Sequence, residues 1–278
     1  MNVGDWNGNR HHDQSATRWL FLCSYNLLMS KVMPSQRLDS LDALRGFAVV
    51  WMTLFHFCFD LNQSGYLQQN FYTDVVWTGQ RTVIVSLFLF CAGLGQAVAV
   101  QQGQGLQRFW RRWLQVAGCA LLVTLGSYLM YPKSFIYFGV LHGMAVMLVV
   151  MRLSAGWGRW LWLAGGLVFA LKFIAPHAHA HYPSIDFLHA PAFNWLGFIS
   201  RKPITEDHVP LLPWLGVMWW GMAAGQSLLA HRPQWLRHPV PPAAAPLAWL
   251  GRWSLSWYML HQPVLIGALM AITALRAL

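Results

Sequence analysis

Charge is what this sequence has least of. Only 10% of its 278 residues are Asp, Glu, Lys or Arg, against roughly 25% in an average soluble domain. So few charges cannot cover the water-facing surface of a fold this size, which excludes an ordinary soluble globule. Cysteine is also scarce: there are four. Cys58, Cys91 and Cys119 lie inside apolar runs and Cys23 lies near the start. No CxxC and no Cys/His zinc spacing occurs, which excludes a disulfide scaffold or a zinc finger. Free thiols packing as small hydrophobes are expected instead. The net charge of +10 would suit nucleic acid, but no basic stripe with interleaved aromatics is present, so no nucleic-acid partner is expected. An internal repeat is missing as well, and with it the sequence mark of an inverted-repeat transporter.

What the chain has in excess is apolar length. Hydrophobic residues make up 56% of it, with 17 Trp. Seven runs of about twenty residues lie near 41–62, 80–101, 109–130, 135–152, 158–175, 210–230 and 252–274. Twenty apolar residues cross a hydrocarbon core of roughly 30 Å. The expected fold is therefore all-α: a polytopic transmembrane helical bundle of about seven spans, in a single domain over 36–278. Residues 1–35 read differently. They start polar, and their one apolar stretch, 19–29, is too short to span. They are expected to be a poorly structured tail or a start-site extension, with Met29 or Met33 as the start.

The basic residues fall mainly on one side of these runs. Thirteen of the 19 Lys and Arg precede or open the first run or lie between runs two and three, four and five, or six and seven. The positive-inside rule then puts the N-terminus in the cytoplasm. The apolar piece 187–199 leaves this open: it could be re-entrant or interfacial, and if it spans, the C-terminus changes side.

Chemistry enters with the first run. His56 and Asp60 are four residues apart, on one helical face. Ionisable groups inside a membrane face the protein interior or a wet cavity and are functional candidates by default. A His titrates near neutral pH, and an Asp one turn away could fix its tautomer, as in acyl transfer. A buried His bonded to a backbone carbonyl, with Asp60 capping the helix, is the plainer alternative. His142 and His261 are also intramembrane, and three such histidines together favour a polar cavity. Pro263 frees a carbonyl about one turn earlier, beside His261. Arg45 is placed to pair with Asp42. Arg108, Arg111 and Arg112 form the densest phosphate candidate, although such groups also simply hold helix ends in place. Asp207 lies just before the sixth run and Trp214 in its first turn or so; they could bind and stack a sugar, or could act as a cap and an interfacial anchor. The tract His177-Ala178-His179-Ala180-His181, if extended, would align three imidazoles. A surface His tract is the commoner reading, and no metal is expected.

Several blocks resemble a known family in order. These are Arg37-Leu38-Asp39-Ser40-Leu41-Asp42-Ala43-Leu44-Arg45-Gly46, Phe55-His56 to Asp60-Leu61, Phe88-Leu89-Phe90-Cys91-Ala92-Gly93, Tyr137-Phe138-Gly139-Val140-Leu141-His142, Asp207 to Gly216, and Gly251 to Pro263. Together they resemble the heparan-alpha-glucosaminide N-acetyltransferase catalytic-domain family, in particular its small bacterial membrane relatives. The resemblance implies a multi-pass enzyme of the bacterial inner membrane. It would move an acetyl group from cytoplasmic acetyl-CoA to an amino sugar or envelope glycan on the other side. Acetyl-CoA is then expected as co-substrate, with Arg45, Arg108, Arg111 and Arg112 binding it. Asp207, Trp214, His142 and His261 would meet the acceptor, and His56 with Asp60 would be catalytic. The longer lysosomal relative places its proposed catalytic His in the loop after the first span. Here that loop, 62–79, contains no His, so His56 takes the candidate role, as a base or as a covalent carrier. The bilayer is a partner, and a homo-oligomer is left open. The alternative is a proton-coupled transporter or flippase of a small polar or lipid-linked molecule, using the same His and Asp as a relay.

Overall fold

The computed structural model describes residues 38–276; the expected tail, 1–35, lies outside them. Among the described residues the regular structure is helical. Seven principal helices stand at the seven apolar runs: α1 (Asp39–Gln63), α2 (Val75–Gln101), α3 (Leu106–Met130), α4 (Val140–Leu153), α5 (Trp160–His181), α6 (Leu211–His231) and, after two short helices, α9 (Ser254–Arg276). The short ones are α7 (Pro233–Arg237) and α8 (Ala245–Arg252).

The expected count of spans needs qualification. Five helices are long and apolar enough to cross a membrane: α1, α2, α3, α5 and α9. The 14 residues of α4 extend only about 21 Å at 1.5 Å per residue, short of the hydrocarbon core. Helix α6 has the length, with 21 residues, but is interrupted at Leu212 by non-helical φ/ψ. Its Trp, Gly and Gln content suits a different setting. Ten of its residues, Pro213 and Trp219 among them, are buried, so it meets protein more than lipid and needs no lipophilic coat.

Helix α6 is the axis of the bundle. It packs along α2 on one side and α5 on the other, and its contacts are glycine-made. A Cβ at Gly93 of α2 would run into the Met218 carbonyl oxygen, and one at Gly221 into that of Phe90. Gly165 and Gly216 bring α5 equally close. A second seam joins α1 to α8, where Gly46 and Gly251 face the backbones of Leu247 and Asp42. Without a hydrophobic force between helices in lipid, such backbone contact carries the association. Gly93→Val should therefore destabilise the bundle by about 1–3 kcal/mol or more through overpacking. Gly118→Ala, where nothing lies within 4 Å of a Cβ, should leave the melting temperature in detergent unchanged. Equal melting for the two variants would contradict this packing.

The helices alternate in direction. The start of α1, the end of α2, the starts of α3 and α9 and the ends of α4 and α6 meet at one end. There Arg252 Nη2 is 2.8 Å from Asp39 Oδ1, Arg152 donates to the Gln104 carbonyl at 2.7 Å, and Gln226 donates to the Ala155 carbonyl at 2.8 Å. This is the arginine end. The apolar piece 187–199 forms no spanning helix: it falls within the 3₁₀ segments Pro183–His189 and Asn194–Leu196 and the turns around them. At this opposite end the connection 134–139 is laced to 205–209. Glu206 N–H donates to Ser134 O (2.9 Å), Val209 N–H to Phe138 O (3.1 Å) and Thr205 Oγ1 to Phe135 O (2.8 Å).

Candidate functional site

A cavity of about 520 Å³ opens between α1, α2, α3, α4 and α9. Its lining changes along its length. Arg45, Arg108, Arg111 and Arg112 line it at the arginine end, with Gln96, Gln104 and Gln115 among them. Deeper, the walls are Phe88, Val116, Leu141, Met144 and Leu148, and the lining extends to Val140 and Tyr258. The four arginines singled out from sequence thus share one chamber. Arg45 also makes the local pair its spacing predicts, with Nη1 3.1 Å from Asp42 Oδ1. Arg252 stands 4.0 Å from the other Asp42 oxygen. This anchors Arg45 at the chamber wall, beside Gly95, whose missing side chain leaves room for the guanidinium.

One turn past Tyr258 on α9 comes His261, and the ring of His56 lies against it, with centroids 5.1 Å apart. The expected His56–Asp60 pair is not what forms. Asp60 is buried, and its Oδ1 accepts from Gln262 Nε2 at 2.8 Å, while Oδ2 has no hydrogen-bond partner. His56 makes no side-chain hydrogen bond among the described residues. The oriented imidazole is His261. Its Nδ1 is 2.8 Å from the Tyr258 carbonyl, which can only accept, so Nδ1 carries the hydrogen. A neutral ring then presents its Nε2 lone pair, and Nε2 is buried and unpartnered. An aromatic wall of Phe55, Phe71 and Trp77 closes this side, with Phe71 stacked on Trp77 at 4.1 Å.

Asp207 sits at the opposite end, where α4 begins. Its Oδ2 accepts from Val140 N–H at 2.8 Å and so caps a helix 67 residues earlier in the chain, at the positive end of its dipole. Val140 also lines the cavity. Burial pushes the Asp207 carboxyl above the usual range, opposed by the Val140 N–H and by the charges of Lys202 and Arg81. Arg81, Lys202 and Gln262 were missed in the sequence. Helix α2 starts at Val75 and carries Arg81 in its second turn.

Two expected acceptor contacts are engaged elsewhere. His142 is occupied at both ring nitrogens: Nε2 meets Thr124 Oγ1 at 2.9 Å, and Nδ1 accepts from Gly139 N–H at 3.3 Å. It therefore fixes the loop before α4. Trp214 is half-buried and packs against the central core. The three described cysteines are free thiols.

His208 gives a pH signature. Burial, and then the charge of Lys202, push its imidazole down from 6.5 to about 4. Between those values the unfolded chain holds a proton that the folded chain lacks. The stability is thus full above about pH 6.5 and is lost as pH falls toward 4. The raised Asp207 carboxyl acts in the opposite sense, because protonation relieves its burial. His208→Gln should flatten the acid-side fall in melting temperature across that window while changing the neutral value little. An unchanged acid slope would assign the loss to other groups.

Compared with known proteins, the chain matches the family model of the heparan-alpha-glucosaminide N-acetyltransferase catalytic domain over residues 37–263. No curated protein and no solved structure matches it.

Proposed function

Because the chain belongs to the heparan-alpha-glucosaminide N-acetyltransferase catalytic family, we propose that it passes an acetyl group from cytoplasmic acetyl-CoA to an amino sugar or envelope glycan presented across the bacterial inner membrane. One observation carries this reading: a single cavity runs from four arginines at one end to Tyr258, one helical turn from His261. The arginine end faces the cytoplasm, where its excess of positive charge belongs. All seven principal helices cross, with α4 and α6 sheltered by the others.

Guanidinium forks suit phosphate, so Arg108, Arg111 and Arg112 hold the nucleotide phosphates at the mouth and Arg45 lies further along the wall. The apolar walls take the pantetheine arm and deliver the thioester near Tyr258. The acceptor comes from the opposite end, between Asp207 and the His56–His261 pair. Asp207, with Arg81 and Lys202 near it, binds its polar groups. Histidine Nε2 takes the proton as the acceptor amine or hydroxyl attacks the thioester carbon. The acyl C–N or C–O bond forms, the C–S bond breaks, and the CoA thiolate leaves. The Tyr258 carbonyl holds His261 in the tautomer that can receive that proton.

Detergent-purified protein incubated with labelled acetyl-CoA and a panel of amino sugars tests the reading. Label should move to an acceptor and depend on it. Acetyl-CoA binding without transfer to any member, or no binding, would count against it.

A further inference from the structure

Away from the transfer path, the histidine tract at the end of α5 does not take the extended form that would align its three imidazoles. It is helical to His181. His177 and His181 each place Nδ1 against a carbonyl one turn back, Phe173 at 3.1 Å and His177 at 2.8 Å. His179 points elsewhere, into a cluster with Asp186 and His189 of the 3₁₀ segment Pro183–His189. The three ligand atoms all lie within 4.8 Å of one another.

The hydrogen positions in this cluster pose a question of charge. His179 is buried. Its Nε2 is 3.0 Å from the Phe198 carbonyl oxygen, which only accepts, so Nε2 carries the hydrogen. A neutral ring then aims the Nδ1 lone pair at Asp186 Oδ1, 2.9 Å away. Two electron-rich atoms at that distance need a cation between them, either a second ring proton or a metal ion. The third member favours the metal. His189 Nδ1 is 3.7 Å from the same Asp186 oxygen, and its ring centroid is 4.3 Å from that of His179. Bond lengths of about 2.0–2.2 Å from Zn²⁺ to nitrogen and oxygen place tetrahedral ligand atoms roughly 3.3 Å apart, close to these separations. His189 Nδ1 also lies 3.2 Å from the Asp186 carbonyl oxygen. The Ser200 N–H donates to His189 Nε2 at 3.2 Å, so without metal the ring carries its hydrogen on Nδ1. Metal binding would move that hydrogen to Nε2 and turn the ring toward Ser200 Oγ, 2.9 Å away, as its acceptor. Each imidazole then has an oxygen acceptor behind it, the outer-shell support that metal-bound histidines use. The Asp186 side chain is 62% exposed, which leaves a side open for water as fourth ligand.

We propose that His179, Asp186 and His189 bind one Zn²⁺ ion that clips the end of α5 to the loop following it. That loop carries Asn194, whose side-chain amide donates to the Tyr137 hydroxyl at 2.8 Å. The clip therefore steadies the layer beside Asp207.

The test uses the full chain purified in detergent with a tag free of histidine, stripped with EDTA and titrated with Zn²⁺ alone. One equivalent should bind by calorimetry and elemental analysis, with a raised melting temperature, and Co²⁺ should give a tetrahedral visible spectrum. Asp186→Asn, at an exposed position, and His189→Gln, at a partly buried one, should each weaken binding by about 100-fold or more. The double control His177→Gln/His181→Gln should bind as the parent does. No stoichiometric Zn²⁺ on the parent would overturn the proposal and leave an imidazolium–carboxylate pair. So would unchanged affinity in Asp186→Asn and His189→Gln, or binding lost in the double control.

Discussion

His56→Ala and His261→Ala should each lower acetyl transfer by on the order of 10²–10⁴, the usual contribution of a general base, while acetyl-CoA still binds. The two rings touch and sit beyond the inner reach of the cavity, and His261 carries a buried Nε2 with no partner. If they act as one unit, the double variant loses little more than the worse single variant, because effects within a unit do not add. Asp60→Asn should lose less than either, since its contact is the Gln262 amide and not an imidazole. Turnover must be compared with melting temperature in the same preparations. A folded His56→Ala/His261→Ala protein with near-parental turnover would make both histidines packing residues and shift attention to Asp207.

The second large effect belongs to the cavity mouth. Replacing Arg108, Arg111 and Arg112 together by Gln should weaken acetyl-CoA binding by on the order of 10²-fold, taking a discounted share of the 1.5–3 kcal/mol that a hydrogen bond to a charged group provides. The loss should be greatest at low ionic strength, because exposed charges are screened by salt. Equilibrium binding of labelled acetyl-CoA across a salt series measures both. Leu114→Ala, a change at an exposed apolar position on the same helix, should leave affinity unchanged. Parental affinity in the triple variant would remove the phosphates from this mouth.

The two sites differ in how far the sequence revealed them, and the difference is one of range. The Asp42–Arg45 pair is three residues apart on one helix, so periodicity alone places it. The arginines of α3 occupy its first two turns, and α3 starts only three residues before the apolar run. The apolar runs locate all seven helices because lipid and core both demand them, yet they cannot distinguish a helix facing lipid from one, like α6, buried among its neighbours. Spacing put His56 and Asp60 on one face correctly. It could not show that Gln262, 202 residues away, would take the carboxylate. Asp207 was legible as a cap but not as the cap of α4, since that bond depends on the lacing of 134–139 to 205–209. The alternating histidines have a period of two that an extended chain would align, but the period does not decide between strand and helix: α5 continues through Pro176 to His181 and sends only His179 toward Asp186.

The central claim is a transfer between two sides, and sealed vesicles of one orientation test it most directly. Labelled acetyl-CoA is supplied at the arginine end, and an amino sugar is placed either in the same compartment or in the opposite one. The account predicts labelled acetylated sugar when donor and acceptor are on opposite sides, and loss of that product in His56→Ala/His261→Ala. Product formed only when both share a compartment, or unmodified sugar crossing the membrane without acetylation, would contradict it.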